Sequence, residues 1–515
     1  MPDSLANLSS SLKYLNLQGN RLQRRFPTNI FLLPNLKELD LSSNNKLVGS
    51  LPAYNWSSPL QNLSLSHTKL SIDLPHLTRS LKYLNILSLS HCNFIRSYPA
   101  LLGNFTNITS LDLSDNNFGG QIPWSSFDLG KLWFLRLSGN NFIGQLPNLS
   151  GTIDFEQFLK LERLSELDLS SNKYLSLSSN NFTKYTSPHN LYSLTMSSCN
   201  VSEFPYSLRT VVNLSSLDLS NNQIKGNVPE WLSNVGKDSL YLLDLSHNLL
   251  TNIVQIPWKN LLILDLRSNL LQGPLPIPPL NTNVFSFSNN QLTGEIPSLI
   301  CNMSSLQVLD LSKNRFHGTL SPCIGNLQKN STFAEENSNS LRLLNLNGNQ
   351  LEESLPQTLL NCKSLQVLDL GNNQINDTFP YWLESLPILQ VLILKSNKFH
   401  GSIPNPKVSL PFQKLRIVDL SYNEFDGLLP TKYFENFVAM MDAKTDGLQY
   451  IESGYYQVTL VIKGISLEFV KVLSIFTTID LSRNKFEGEI PKSIEIFLEI
   501  SLYFLSISIK MTRWT

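Results

Sequence analysis

TNITSLDLSDNNFGGQIP, residues 106 to 123, is the stretch on which the fold turns. Ile108, Leu111 and Leu113 are apolar, Asn116 is polar, and Gly120, Ile122 and Pro123 follow. Leu111 and Leu113 are two apart, so they share one face of a short strand, while Asp112 and Ser114 point to the other. Asn116 stands where the chain turns out of the strand. An amide side chain there can bond backbone groups of its own coil and of the neighbouring one, so stacked copies make a ladder. One copy cannot bury its own leucines, but many stacked copies can.

The chain is a succession of such copies, about 24 residues each. The ladder position runs from Asn20 through Asn116, Asn222 and Asn314 to Asn484, with Thr68, Cys92 and Cys199 as substitutes, and predicts eighteen coils. A proline recurs seven residues after it, as at Pro27, Pro123, Pro297 and Pro491. Proline fixes φ and removes a donor, which suits a turn away from the strand.

Three gaps break the period: 32 residues from Asn140 to Asn172, 35 from Asn314 to Asn349 and 61 from Asn423 to Asn484. The first two read as loops on one face; QKNSTFAEENSNS, residues 328 to 340, is polar throughout. The third holds helical spacing at Phe434, Phe437 and Met441 and two strands around Lys463–Gly464, so it reads as a small folded insert. Past Pro491 the pattern decays: Ile500, Tyr503 and Leu505 keep the leucine offsets, but Ser508 replaces the asparagine. The tail reads as a degraded repeat or as read-through from non-coding sequence, rather than as a membrane anchor.

Lysine plus arginine equals aspartate plus glutamate at 40 each, which argues against nucleic acid or an anionic membrane as the main partner. The start, MPDSLANLSSSLKYLNLQGN, lacks a basic head and an apolar run and opens in mid-repeat, as expected of a truncated or mis-assigned beginning. No metal spacing, phosphate loop or kinase signature is present. The sequence therefore predicts no enzyme, metal site or cofactor. His67, His91 and His247 each precede a ladder position and belong to the repeat surface.

Five cysteines are too few for a disulfide scaffold. Cys92 and Cys199 fit the ladder turn as free thiols, and Cys362 fits the core. Cys301 and Cys323 lie 11 and 9 residues after successive ladder asparagines, and stacking brings them near enough for a disulfide. Glycosylation sequons stand at Asn7, Asn55, Asn62, Asn104, Asn107, Asn148, Asn181, Asn200, Asn213, Asn302, Asn330 and Asn376. Roughly ten would arise by chance in a chain so rich in Asn and Ser, so their number decides little. Candidate ligand contacts are departures from the consensus on the strand face: Tyr14, Phe134, Arg136, Tyr192, Arg267 and Lys395. Tyr455, Tyr456 and Lys463 of the insert form a second set.

L-x-x-L-x-L-x-x-N-x-x-x-G-x-I-P resembles the plant-specific leucine-rich repeat. KGISLEFVKVLSIFTTIDLSRNKFEGEIP, residues 463 to 491, is similar to the junction between the insert, called the island, and the last repeats of plant leucine-rich-repeat receptor-like proteins. These are cell-surface immune receptors of the fungal-resistance type. GEIPSLICNMSSLQVLDLSKNRFHGTLSPCIGNL, residues 294 to 327, resembles their repeats ahead of the island. The resemblance implies an α/β solenoid: a right-handed superhelix with parallel strands on the concave face and 3-10 or irregular segments on the convex side. It implies repeats over 1–430 (about 17 coils), the island over 431–475, a further repeat over 476–491 and a degenerate or non-homologous tail over 492–515. It implies extracellular recognition of a protein, peptide or glycan at the cell membrane in defence signalling. Partner receptor kinases act beyond it in the intact family protein. A soluble enzyme inhibitor, a growth-receptor kinase ectodomain and a non-functional gene fragment are the alternatives.

Overall fold

The structure is a computed structural model. It describes residues 11–51, 58–71, 82–92, 106–121, 130–143, 152–155, 158, 160–178, 190–326, 341–441, 450–451, 457–462, 465–469, 471–473, 476–494 and 505–508. The chain forms two compact units, Met1–Leu249 and Leu250–Thr515, built on one plan. Each coil contributes a short strand that pairs in parallel, in register, with that of the next coil. In the first unit these strands run from Tyr14–Asn16 through Ser110–Asp112 to Leu242–Asp244. In the second they run from Ile263–Asp265 through Val308–Asp310 to Thr477–Asp480. The central strand leucines stack directly, Leu111 on Leu135 and Leu368 on Leu392, and are buried. The fold is a parallel-strand solenoid.

The ladder amide closes each coil. Asn116 Nδ2 donates to the carbonyls of Leu113 and Ser114 in its own coil and of Leu89 in the preceding one, at 3.1, 2.9 and 2.8 Å. Its Oδ1 accepts the N–H of Cys92 at 3.1 Å. Asn314 repeats the pattern on Leu311, Ser312 and Phe287, and accepts from Leu292 at 3.0 Å. The free thiols of Cys92 and Cys199 donate to carbonyls of the same kind, Leu65 at 3.1 Å and Leu169 at 3.0 Å. Burial pushes the Cys199 thiol up to about 12, so it stays a donor.

The residue before the ladder position is left-handed: Asp115 at φ 53, His247 at φ 54, Gly348 at φ 69. Glycine, short polar residues and histidine tolerate that region and hold this position in most coils, with Lys313, Tyr422 and Arg483 as exceptions. The recurring prolines precede 3-10 segments. Pro297, for example, caps Ser298–Asn302, and its carbonyl accepts the N–H of Ile300 at 3.1 Å. The missing proline N–H costs nothing there. Cys301 and Cys323 are joined as a disulfide between successive coils, with Cα atoms 5.5 Å apart.

The insert begins with two helical turns, Thr431–Phe434 and Val438–Met441. The helix is interrupted at 435–437, which shifts the apolar face by one residue: Phe434 and Phe437 are buried as expected, but Met440 is buried where Met441 was expected. The Tyr433 hydroxyl donates to the buried carboxylate of Glu384 at 2.7 Å, and the other oxygen of Glu384 accepts the Lys407 N–H at 2.8 Å. This bond ties the insert to the repeats. Strands Val458–Ile462 and Ile465–Phe469 then pair antiparallel on either side of residues 463–464, where the sequence places a turn.

Two details differ from the expectation. In the first gap, Thr152–Asp154 is a strand paired with Ser176–Ser178, and Phe155 and Phe158 are buried, so part of that segment is packed rather than looped. The polar run of the second gap, residues 328 to 340, lies outside the described residues. In the tail, Leu505–Ser508 pairs with Thr477–Asp480 and sets Ile507 opposite Ile479, four residues later than the leucine offsets predict. The alternation Leu505, Ile507, Ile509 has a period of two and supports either register. Among the described residues no helix is long and apolar enough to cross a membrane.

Replacing Asn314 by alanine strands several buried backbone groups and is expected to cost about 2–4 kcal/mol in urea denaturation. Asn314→Cys, which keeps a donor, should cost less. Tyr433→Phe removes a donor from the buried Glu384 carboxylate, and the same assay should register a loss of about 1–3 kcal/mol.

Candidate functional site

The consensus Asp and Ser of the strand face cap the strand exit. Asp112 Oδ1 accepts the N–H and hydroxyl of Ser114 at 3.0 and 2.7 Å; Asp419 does the same for Ser421 at 3.0 and 2.6 Å. These side chains hold the turn.

The sequence places the first set of candidate contacts on the strand face. In the first unit the outward residues of Ser110–Asp112 and Glu166–Asp168 are half-buried. In the second unit part of this face is covered. The first outward position is apolar at Val284, Val308, Leu343, Val367, Val391 and Ile417. Ile451, Val458, Leu460, Val472 and Phe476 of the insert and its exit pack on this stripe as one cluster. Each aliphatic side chain so buried contributes ~1.5–3 kcal/mol, enough to hold the insert on the strands.

Beside this seam the next row stays polar and lines a pocket of ≈ 340 Å³. Ser312, Asn345, Asn347, Asp369, Lys395 and Tyr422 supply its repeat side, and Gln457 closes it from the insert. Asp369 is buried; its Oδ1 accepts the Gly371 N–H at 3.1 Å and Asn347 Nδ2 at 2.8 Å. Burial raises its carboxyl pKa, while those bonds and the nearby Lys395 charge oppose the rise. Lys395 Nζ lies 3.8 Å from Asp419, whose carboxyl is pushed up to about 6, chiefly by burial.

Gly371 replaces the consensus serine. A Cβ there would lie 2.7 Å from Asn347 Nδ2 and 3.1 Å from Lys395 Cγ, so glycine is what lets these two side chains converge. Tyr422 is left-handed at φ 56, an uncommon conformation for a bulky residue, and the Arg483 guanidinium sits 5.1 Å over its ring.

Among the described residues, Lys395 alone of the candidates read from sequence lines this pocket. Arg267 instead pairs with Asp265 at 3.1 Å. In the first unit Phe134 and Arg136 come together: the guanidinium lies 5.2 Å over the ring and reaches Asp168 at 3.2 Å and Asp112 at 3.9 Å. Tyr14 is exposed opposite Glu38, and Tyr192 is exposed just before its strand. Tyr455, Tyr456 and Lys463 lie outside the described residues, as do the sequons at Asn7, Asn55, Asn104, Asn148, Asn181 and Asn330. Asn200, Asn213, Asn302 and Asn376 are exposed. Asn62 and Asn107 are half-buried and hydrogen-bonded, to Glu38 at 2.9 Å and to the Lys82 carbonyl at 3.0 Å. Sequence reasoning missed Asp369, Gly371, Tyr422 and Gln457. The run of aliphatic residues at the first outward position was the available signal.

The repeat, the ladder and the strand rows define a leucine-rich-repeat protein. Family models for the leucine rich repeat match residues 337–399 and 11–33, 107–129, 213–235, 281–303, 305–327 and 476–496. Receptor-like protein 53 of Arabidopsis thaliana is 35% identical over 370 residues, 68% of this chain and 36% of that protein. Receptor-like protein 35 of the same plant is 36% identical over 369 residues, 68% of this chain and 37% of that protein. The chain belongs to the plant leucine-rich-repeat receptor-like proteins. It spans little more than a third of the length of these two relatives.

Two solved structures share the fold. The ectodomain of the Arabidopsis thaliana receptor kinase GASSHO1/SCHENGEN3, in complex with CASPARIAN STRIP INTEGRITY FACTOR 2, has a TM-score of 0.69 at 25% identity, covering 99% of this chain and 62% of its own. The plant peptide hormone receptor RGFR1, in complex with RGF2, has a TM-score of 0.70 at 26% identity, covering 99% and 77%.

Asp419 sits higher in the fold, at about 6, than the ordinary carboxyl value of 3.8. Folding therefore favours its protonated form; that contribution is full below 3.8 and is lost as pH rises through about 6. Asp419→Asn keeps an oxygen for Ser421 and carries no charge. In urea denaturation it should be more stable than the parent at pH 7.5, by about 1–3 kcal/mol, and equal to it near pH 3.5.

Proposed function

We propose that this chain is the ligand-recognition part of a kinase-lacking receptor at the extracellular face of the plant cell membrane, acting in defence signalling. The ligand is a peptide or a protein segment, and the intact receptor passes the signal to partner receptor kinases. The pocket at Asn347, Asp369 and Lys395 carries the reading, because repeats and insert both build it. Its three side chains come from successive coils, Leu343–Asn345, Val367–Asp369 and Val391–Ile393. Coils rise ~4.8 Å each and an extended peptide ~3.3 Å per residue, so a short peptide across the strands meets all three. The complex of the peptide hormone receptor RGFR1 with RGF2, a structural relative, supports this reading.

Panning a library of random twelve-residue peptides on the secreted 1–515 chain tests it. Selected peptides should lose at least ~10-fold in affinity for Lys395→Ala and for Gly371→Leu, which fills the pocket, with thermal melting confirming that both variants are folded. Failure to select any peptide, or selected peptides indifferent to both substitutions, would count against the reading.

A further inference from the structure

The first unit carries a separate recognition feature, independent of the pocket at Lys395. Trp133, Ser165 and Tyr192 each stand just before one of three consecutive strands, Phe134–Arg136, Glu166–Asp168 and Ser193–Thr195. The Ser165 N–H donates to the Trp133 carbonyl at 2.8 Å, and the Tyr192 N–H to the Ser165 carbonyl at 2.7 Å. The three residues therefore form one row across neighbouring coils. Trp133 and Tyr192 are 45% and 49% exposed, and Ser165 between them is half-buried.

Two coil steps of ~4.8 Å set the aromatic residues about 10 Å apart. A ring stacked on an aromatic face lies ~5 Å from it, so two such contacts fill this gap with a single ring. Between them the row carries only the hydroxymethyl side chain of Ser165. Beside the row lie Arg136, its partners Asp112 and Asp168 at 3.9 and 3.2 Å, and Glu166 on the adjacent strand. Two carboxylates pair with one guanidinium and Glu166 adds a third on the adjacent strand, so the rim is net acidic and disfavours an anionic ligand.

The occupant must offer flat apolar faces to two aromatic rings and polar groups to a charged rim. A hydrocarbon ring fails at the rim, where it leaves charged groups without partners. A hexopyranose with every hydroxyl equatorial has C–H bonds on both faces and hydroxyls round its edge. We propose that Trp133 and Tyr192 clamp one ring of a neutral, β-linked, all-equatorial pyranose chain. Ser165 forms the floor, and Arg136, Glu166 and Asp168 bond its hydroxyls.

Isothermal titration of the 1–515 chain with cellopentaose is the test. Saturable binding is expected, at least ~10-fold weaker in Trp133→Ala and in Tyr192→Ala and largely kept in Trp133→Phe. Ser165→Leu, which fills the floor, should abolish it, with thermal melting confirming that each variant is folded. Pentagalacturonate, anionic and bearing an axial hydroxyl, should not bind. Absence of cellopentaose binding by the parent overturns the proposal, as does affinity unchanged in both alanine variants. Tighter binding of a proline-rich peptide at the same residues also overturns it, by assigning the slot to a peptide ring. Lys395→Ala leaves cellopentaose affinity unchanged, so this proposal and the peptide reading fail separately.

Discussion

One side-chain amide is what the whole solenoid depends on. At every turn out of a strand the backbone leaves carbonyls and an N–H that face inward, away from water. The ladder asparagine meets them all: Asn314 donates to Leu311 and Ser312 of its own coil and to Phe287 of the one before, and accepts from Leu292. An aspartate there could not donate, and an alanine could do neither. Cysteine and threonine supply a donor and are tolerated at Cys199 and Thr68. The strands stack in register because this amide couples each coil to its neighbour at a fixed offset.

Fixed stacking turns the outward positions into rows, and rows impose electrostatic order. Under the insert the third strand position reads Asp310, Asn345, Asp369, Ile393, Asp419. From Asp310 to Asp419 each buried carboxylate is separated from the next by a neutral residue, so along this stretch like charges do not meet at the ~4.8 Å coil spacing. Asp419 has Asp480 on the next coil, and that charge adds to the rise that burial causes. Lys395 offsets part of it. In the open rows of the first unit, Arg136 performs a similar separation between Asp112 and Asp168.

The repeat, the ladder, the coil positions, the insert and the Cys301–Cys323 pairing were all legible, because each follows from local backbone needs and a constant period. The seam under the insert was not read, although its residues were in view. Glu38, Ser110 and Ser216 hold the first outward position in the first unit, while Val284, Val308, Val367 and Val391 hold it in the second. In a chain this rich in aliphatic residues, one more per coil draws no notice unless the rows are compared. The pocket was out of reach for a different reason: Gln457 meets Asp369 only after the hairpin folds back, across a distance in sequence that periodicity does not encode. The tail register failed because its alternation fits two pairings equally well.

The hairpin on the second unit is a tethered competitor. Joined to the repeats at both ends, a covalently linked segment acts at an effective concentration on the order of millimolar for the stripe it covers. A free apolar peptide would have to exceed that to lift it, so the aliphatic row is closed to opportunistic binders. What remains accessible is the polar row at its margin. Discrimination there falls to hydrogen-bond pattern and charge, where one unmatched group is costly, instead of to greasy area, where many sequences would do equally well.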